Sequence, residues 1–299
     1  AETAALTEVE AEALTLRYVD ARAGRAWSVD GGRIGLSRDG DKISLRSDLA
    51  LLGGGARAAT LAIGYDTMLG SSAAAFSVTI EDVEAAAIAS QLPALAWLGV
   101  VEAPISGALR AAADESGALG PLNGTLQIGA GVVRPTEATR PIPFDGARSY
   151  FTYLPDEAKV QFHELSVASQ WGSAQVEGTS YLEGMEQGWP SALLGQFRAT
   201  KLALNPDGLY PEPISFDAVH VDSRLRLDPF ELDIGALTIV DQGKGFHAKG
   251  QLRAEAAGWD LSLSAKMDGM DPARLLALWP AQAVPKTRSW VEENISGGA

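Results

Sequence analysis

The chain has no cysteine and only three histidines among its 299 residues. Without cysteine there are no disulfides, no thiolate nucleophiles and no zinc–thiolate sites. The absence suits an oxidising compartment, although proteins of reducing compartments also manage without the residue. His163, His220 and His247 stand far apart in strand-like segments, and the HExxH spacing is missing. No metal site is expected. His220 shares a strand face with Asp222, which would orient it as a general base; an exposed histidine among solvated charges is the plainer reading. Gly178-Thr179-Ser180-Tyr181 lacks the closing glycine of a nucleophile elbow, and no phosphate-cradling glycine motif opens a helix. No catalytic residue and no cofactor are expected, while a carboxylate pair for sugar chemistry stays open on sequence alone.

Positive charge is also scarce. Lys and Arg number 24 against 38 Asp and Glu, a net charge of −14, and the excess acid is spread over both halves. Such a surface repels phosphate backbones, so nucleic acid is not an expected partner. Residues 58–109 and 160–197 contain no Lys or Arg at all. Long apolar runs are missing too: the uncharged stretch from Ala85 to Val101 is Ala-rich and holds Ser90, Gln91, Pro93 and Gly99. A bilayer span needs about 20 strongly apolar residues, so this stretch is expected to be a buried amphipathic helix followed by a turn. The chain opens with neither a Met nor a basic–apolar leader, which suggests processing or excision from something longer.

What the chain has in abundance is period-two alternation, the mark of strands with one apolar face. It runs through Leu61, Ile63 and Tyr65, through Phe76, Val78 and Ile80, and through Leu122, Leu126 and Ile128. The second half is clearer: Val219 and Val221, Leu225 and Leu227, Phe230, Leu232 and Ile234, Phe246 and Ala248, Leu261 and Leu263. Turn chemistry separates the runs at Asp39-Gly40, Asn205-Pro206-Asp207-Gly208, Gly243-Lys244-Gly245 and Ala257-Gly258. The fold class is therefore mainly β, a meandering antiparallel sheet with a few short helices. Helices are expected near 82–92, with Asp82 as cap, near 272–279 behind the Asp271-Pro272 cap, and at 285–294 behind Pro285.

These helices belong to an internal repeat. Residues 80–93 (IEDVEAAAIASQLP) align without gaps with residues 267–280 (MDGMDPARLLALWP), and Ile105-Ser106-Gly107 with Ile295-Ser296-Gly297. Two β-rich units follow, 1–110 and 111–299. The second copy stops where a strand should begin, as a fragment of a repetitive structure would. The apolar faces fit either a packed sandwich or a sheet curled into a trough, and periodicity does not separate the two.

The end of the chain adds a resemblance. Trp279-Pro280, then Lys286-Thr287-Arg288-Ser289-Trp290, then Asn294-Ile295-Ser296-Gly297-Gly298 resemble a signature of the AsmA-like family, in its YhdP branch related to TamB. The resemblance implies a long, twisted antiparallel sheet curled into an open groove whose apolar inside carries phospholipid acyl chains. It implies a segment of a periplasmic protein held in the inner membrane by an anchor outside this chain. It further implies a role in transport toward the outer membrane, with outer-membrane or periplasmic proteins as possible partners. Candidate lining residues are Leu225, Leu227, Phe246, Ala248, Leu261 and Leu263, with tight core as the competing role of each. Trp279 and Trp290 are expected to pack where the helices meet the sheet, and Lys286 and Arg288 to meet headgroups or water. A non-catalytic scaffold for envelope assembly and a carbohydrate-active β-enzyme are the alternatives.

Overall fold

The computed structural model describes residues 7–20, 25–52, 59–208, 210, 212–267, 269, 271–279 and 284–295. The first strands are β1 (Glu8–Ala11), β2 (Thr15–Asp20), β3 (Arg25–Asp39), β4 (Lys42–Leu52), β5 (Ala59–Met68) and β6 (Ala74–Glu84). An insertion follows: helix α1 (Ala85–Ala89), a 3-10 segment (Pro93–Val100) and the short β7 (Val101–Glu102). Then come β8 (Pro104–Ala113), β9 (Leu122–Ile128), β10 (Gly131–Val133), β11 (Ile142–Phe144), β12 (Gly146–Leu154) and β13 (Lys159–Ser169). The last strands are β14 (Gly172–Glu183), β15 (Ala192–Leu204), β16 (Ala218–Leu227), β17 (Phe230–Asp241), β18 (Lys244–Glu255) and β19 (Gly258–Met267). Helices α2 (Pro272–Leu278) and α3 (Pro285–Asn294) close the list.

Sixteen strands form one antiparallel sheet, ordered β1-β3-β4-β5-β6-β8-β9-β12-β13-β14-β15-β16-β17-β18-β19, with β2 also on β3. It does not close into a barrel. β7, β10 and β11 make a separate three-stranded sheet. The protein is mainly β with few short helices, as expected. The boundary drawn at 110/111 falls inside β8, which pairs with β6 on one side and β9 on the other.

The sheet curls. In a flat sheet, the six steps from β8 to β16, each about 4.8 Å, would separate these strands by roughly 29 Å. Yet the 3-10 segment, which leads through β7 into β8, touches β16. Trp259 on β19 likewise donates its indole N–H to the Arg140 carbonyl beside the small sheet, at 2.7 Å. Strand twist accumulating over several strands produces such a return, and the insertion lies inside the curl. Ala85, Ile88, Leu95 and Leu98 of the insertion join Ile105, Leu126, Phe151, Val160 and Leu193 of the sheet in one buried cluster.

Two expectations are corrected here. Asp82 caps no helix: β6 runs on to Glu84, and Asp82 sits at a register irregularity with φ of 54°. Nor is the stretch from Ala85 an amphipathic helix. It is a five-residue helix and an eight-residue 3-10 segment, and apart from the exposed Gln91 and Gly99 its residues are buried or half-buried. Asp271 does cap α2, accepting from Ala273 N–H at 2.8 Å, with Pro272 in the first turn. α3 runs from Pro285 to Asn294 as the sequence suggests.

Candidate functional site

Directly opposed residues in an antiparallel ladder point to the same side, so the register sorts every strand position onto one of two faces. One row reads Leu193, Leu225, Leu232, Leu252, Leu261 across β15 to β19. The next reads Ile234, Gly250, Leu263, followed by Leu237, Ala248, Ala265 and by Ile239, Phe246, Met267. Leu227 opposes Phe230 on that same face. All six candidate lining residues therefore share the inner face, the side that carries the buried cluster. Their surroundings differ. Leu225 and Leu227 pack against the cluster, and Ala248 is buried. Phe246 lines a cavity of about 140 Å³ with Met267, Lys244 and Arg274 at the foot of α2. Leu261 and Leu263 are open to solvent, at 68% and 62% exposure.

The inner row extends toward the other end of the sheet. Val221, Phe197, Gly178, Phe162 and Phe151 stand in register, and from Gly124 the row continues through Leu109, Val78, Ile63, Ser47 and Ile34. The three phenylalanine rings form a chain with centroids 6.2 and 5.8 Å apart, within the spacing of favourable aromatic pairs. Glycines make room for them: a Cβ on Gly124 would collide with the Phe151 ring, and one on Gly178 with Phe197.

The outer face is polar and paired. Glu177 accepts from Arg198 Nε at 2.7 Å, and Glu231 is buried between Arg226 and Arg253 with Gln251 also donating to it. His163, Glu177, Arg198, His220 and Asp222 line a shallow depression of about 450 Å³, and Thr152 Oγ1 lies 3.0 Å from His163 Nε2. Among the described residues, no group of three or more His, Asp or Glu side chains is arranged to hold a metal ion. Elsewhere, Arg134 grips Glu102 through two contacts of 2.7 Å and holds that carboxyl below the usual range. Burial pushes the Tyr153 phenol up.

The helical end is tied to the sheet by Arg274, which binds Asp241 at 2.7 and 2.9 Å and donates to the Ser215 carbonyl. Tyr210 donates its hydroxyl to Leu278 O at 2.9 Å. Of the signature residues, Arg288 donates to the carbonyls of Leu276 and Trp279, joining α3 to α2, and pairs with Glu292. Asn294 donates to Trp290 O at 2.9 Å. Lys286 and Thr287 are exposed, and so is Trp290, which points away from the packing expected of it. Pro280, Gly297 and Gly298 lie outside the described residues. Also among the described residues, no helix is long and apolar enough to cross a membrane.

Comparison of the chain with profiles of protein families, with curated proteins and with solved structures gives no match.

Proposed function

We propose that this chain is a segment of an AsmA-like protein of the YhdP branch, and that phospholipid acyl chains pass along the inner face of its sheet. The observation that carries the reading is the apolar row Leu193, Leu225, Leu232, Leu252 and Leu261 on one face of an unclosed, curled sheet, ending in the exposed Leu261 beside the exposed Leu263. An acyl chain needs a continuous apolar wall and no directional partner, since burial is worth about 25 cal/mol per Å² wherever the chain lies. A polar outer face keeps such a trough soluble. The signature at the end of the chain supplies the rest of the proposal: a periplasmic location, attachment to the inner membrane outside this segment, and delivery toward the outer membrane.

The filled middle of the trough favours a second reading, a structural scaffold for envelope assembly. Native mass spectrometry with lipid extraction separates the two, using the chain purified from a Gram-negative host. Co-purified phospholipid that disappears in a folded Leu261→Asp variant supports the conduit. A stable, lipid-free chain refutes it and leaves the scaffold.

A further inference from the structure

The insertion between β6 and β8 lies where, on the conduit reading, the acyl chain should lie. Ala85, Ala87, Ile88, Ala89, Ala94, Leu95 and Leu98 are buried against the inner face, and no residue from Ala85 to Val101 is charged. The 3-10 segment Pro93–Val100 has eight residues, and at about 2 Å per residue it is roughly 16 Å long. That is close to the depth that one acyl chain fills in a leaflet of a bilayer core about 30 Å thick.

The insertion is tied to the rest of the fold by backbone hydrogen bonds at its two ends, Ala85 N–H to Ala103 O at 3.0 Å and Arg134 N–H to Val100 O at 2.9 Å. Neither helical stretch starts with a side-chain cap. Trp97 Nε1 on the insertion and Ser149 Oγ on the sheet are buried without a partner. Runs of 3-10 helix beyond three or four residues are uncommon, and they mark hinges or strained sequence. At the entry, Asp82 holds a left-handed conformation, its N–H bonded to Ser106 Oγ at 3.1 Å, where the β6–β8 register slips. At the exit, Glu84 and Pro104 are direct ladder partners. The sheet is therefore continuous beneath the insertion and does not need it for pairing.

From these observations we infer that Ala85–Val100 is a displaceable plug: it substitutes for an acyl chain in the empty trough and leaves when lipid enters. The inference rests on the conduit reading. Apolar contact is non-directional, so a chain of similar length and area can replace the buried side chains between the two backbone hydrogen bonds at the ends of the segment. Asp82 is the hinge about which the segment moves.

The absence of native cysteine makes the test direct. Ala94→Cys puts the only thiol of the molecule at a position 1% exposed on the plug, and Val160→Cys puts one at an equally buried position on the sheet. Each variant is mixed with vesicles of phosphatidylethanolamine and phosphatidylglycerol, lipid uptake is read by native mass spectrometry, and maleimide labelling is timed. The expected result is labelling of Ala94→Cys at least tenfold faster once lipid is bound, with Val160→Cys still protected. Lipid bound while Ala94→Cys stays protected overturns the plug and leaves the conduit standing. So does equal deprotection of both thiols, which would be general loosening. No lipid bound to either variant overturns the conduit and the plug with it. If a cysteine at position 94 prevents folding, Ala87→Cys on α1 reports the same motion. A second check replaces residues 85–103 with Asn-Gly between Glu84 and Pro104. Such a chain is expected to take up more lipid than the parent, and unchanged uptake counts against the plug.

Discussion

Placing a carboxylate at successive positions along one inner row should separate stability from lipid loading. In the row Leu225, Leu232, Leu252, Leu261, the first residue packs against the buried cluster and the last is 68% exposed. Complete burial of a leucine is worth about 1.5–3 kcal/mol, so Leu261, about one-third buried, contributes roughly 0.5–1 kcal/mol. Aspartate in a strand adds a penalty of up to about 1 kcal/mol. Leu261→Asp, and by the same reasoning Leu263→Asp, should therefore cost less than about 2 kcal/mol. Leu225→Asp places an unpaired polar group against the core and should cost more than about 3 kcal/mol. Urea unfolding read by circular dichroism checks this through a midpoint shift at constant slope. Loading should respond in the opposite order of convenience: Leu261→Asp removes contact with about two methylenes at about 0.8 kcal/mol each, a loss of more than tenfold in retained phospholipid. If Leu261→Asp is as destabilising as Leu225→Asp, β19 is not an open wall. If both exposed leucines become aspartate in a folded chain and lipid retention is unchanged, acyl chains do not travel along this row.

Three further outcomes follow from particular contacts. Gly124→Ala forces a Cβ into the ring of Phe151, itself 3% exposed, and should cost about 1–3 kcal/mol; the double variant Gly124→Ala/Phe151→Leu should cost less than the two single changes together, which a double-mutant cycle measures. Ser149→Ala removes a fully buried hydroxyl with no partner and should be neutral or stabilising by up to about 1 kcal/mol, whereas Ser44→Ala removes a donor to Asp66 and should destabilise by about 0.5–1.5 kcal/mol; thermal unfolding that shows the reverse order refutes the assignment. The Arg134 hydrogen bonds lower the pKa of Glu102 when folded, so their contribution is present above the ordinary carboxylate range and fades as pH falls through the folded value. The pair is partly solvent-exposed, so solvent screening keeps the contribution small; Arg134→Gln should narrow the gap to the parent in acid, and a gap independent of pH between 2.5 and 7 rules the linkage out.

The parts of the fold that were legible in the sequence, and those that were not, share one physical cause. Strands β16 to β19 announce themselves because most inner positions carry a large aliphatic or aromatic residue supplied by the strand itself, with Ser223, Ala248, Gly250 and Ala265 among the small ones. β14 is as long as any of these and gives almost no signal: its inner positions include Val176, Gly178 and Ser180. The volume there is filled from the neighbours, by Phe162 on β13 and Phe197 on β15, whose rings meet across Gly178. Alternation measures what a residue brings to the face, whereas packing depends on what reaches it from either side, so a strand served by its neighbours reads as a polar loop. The insertion was misread for a related reason. An amphipathic pattern presumes a wet stripe at helical spacing, whereas in Pro93–Val100 only Gly99 is exposed and the other residues are buried or half-buried. Curl follows from twist summed over many strands, a quantity no local window contains.

That same cause bears on the candidate site. The six lining positions fell on one face because strand parity survives whatever surrounds the strand; their exposure did not follow, because it depends on what occupies the curl. Leu225 and Leu261 have identical parity and opposite fates: Leu225 lies against the cluster on β16, which the insertion touches, and Leu261 lies in water on β19, the last strand of the sheet. If the insertion sets the boundary between filled and open trough, its length should control it. Lengthening or shortening the segment between Pro93 and Val100 should move that boundary along the row, strand by strand, with little change in the ladder beneath it. Hydrogen-exchange protection of β16 to β18 in such variants would show it, as altered solvent access to the inner face with the ladder amides still protected. Loss of ladder protection across β8 to β16 would mean instead that the sheet curls only because the insertion holds it so.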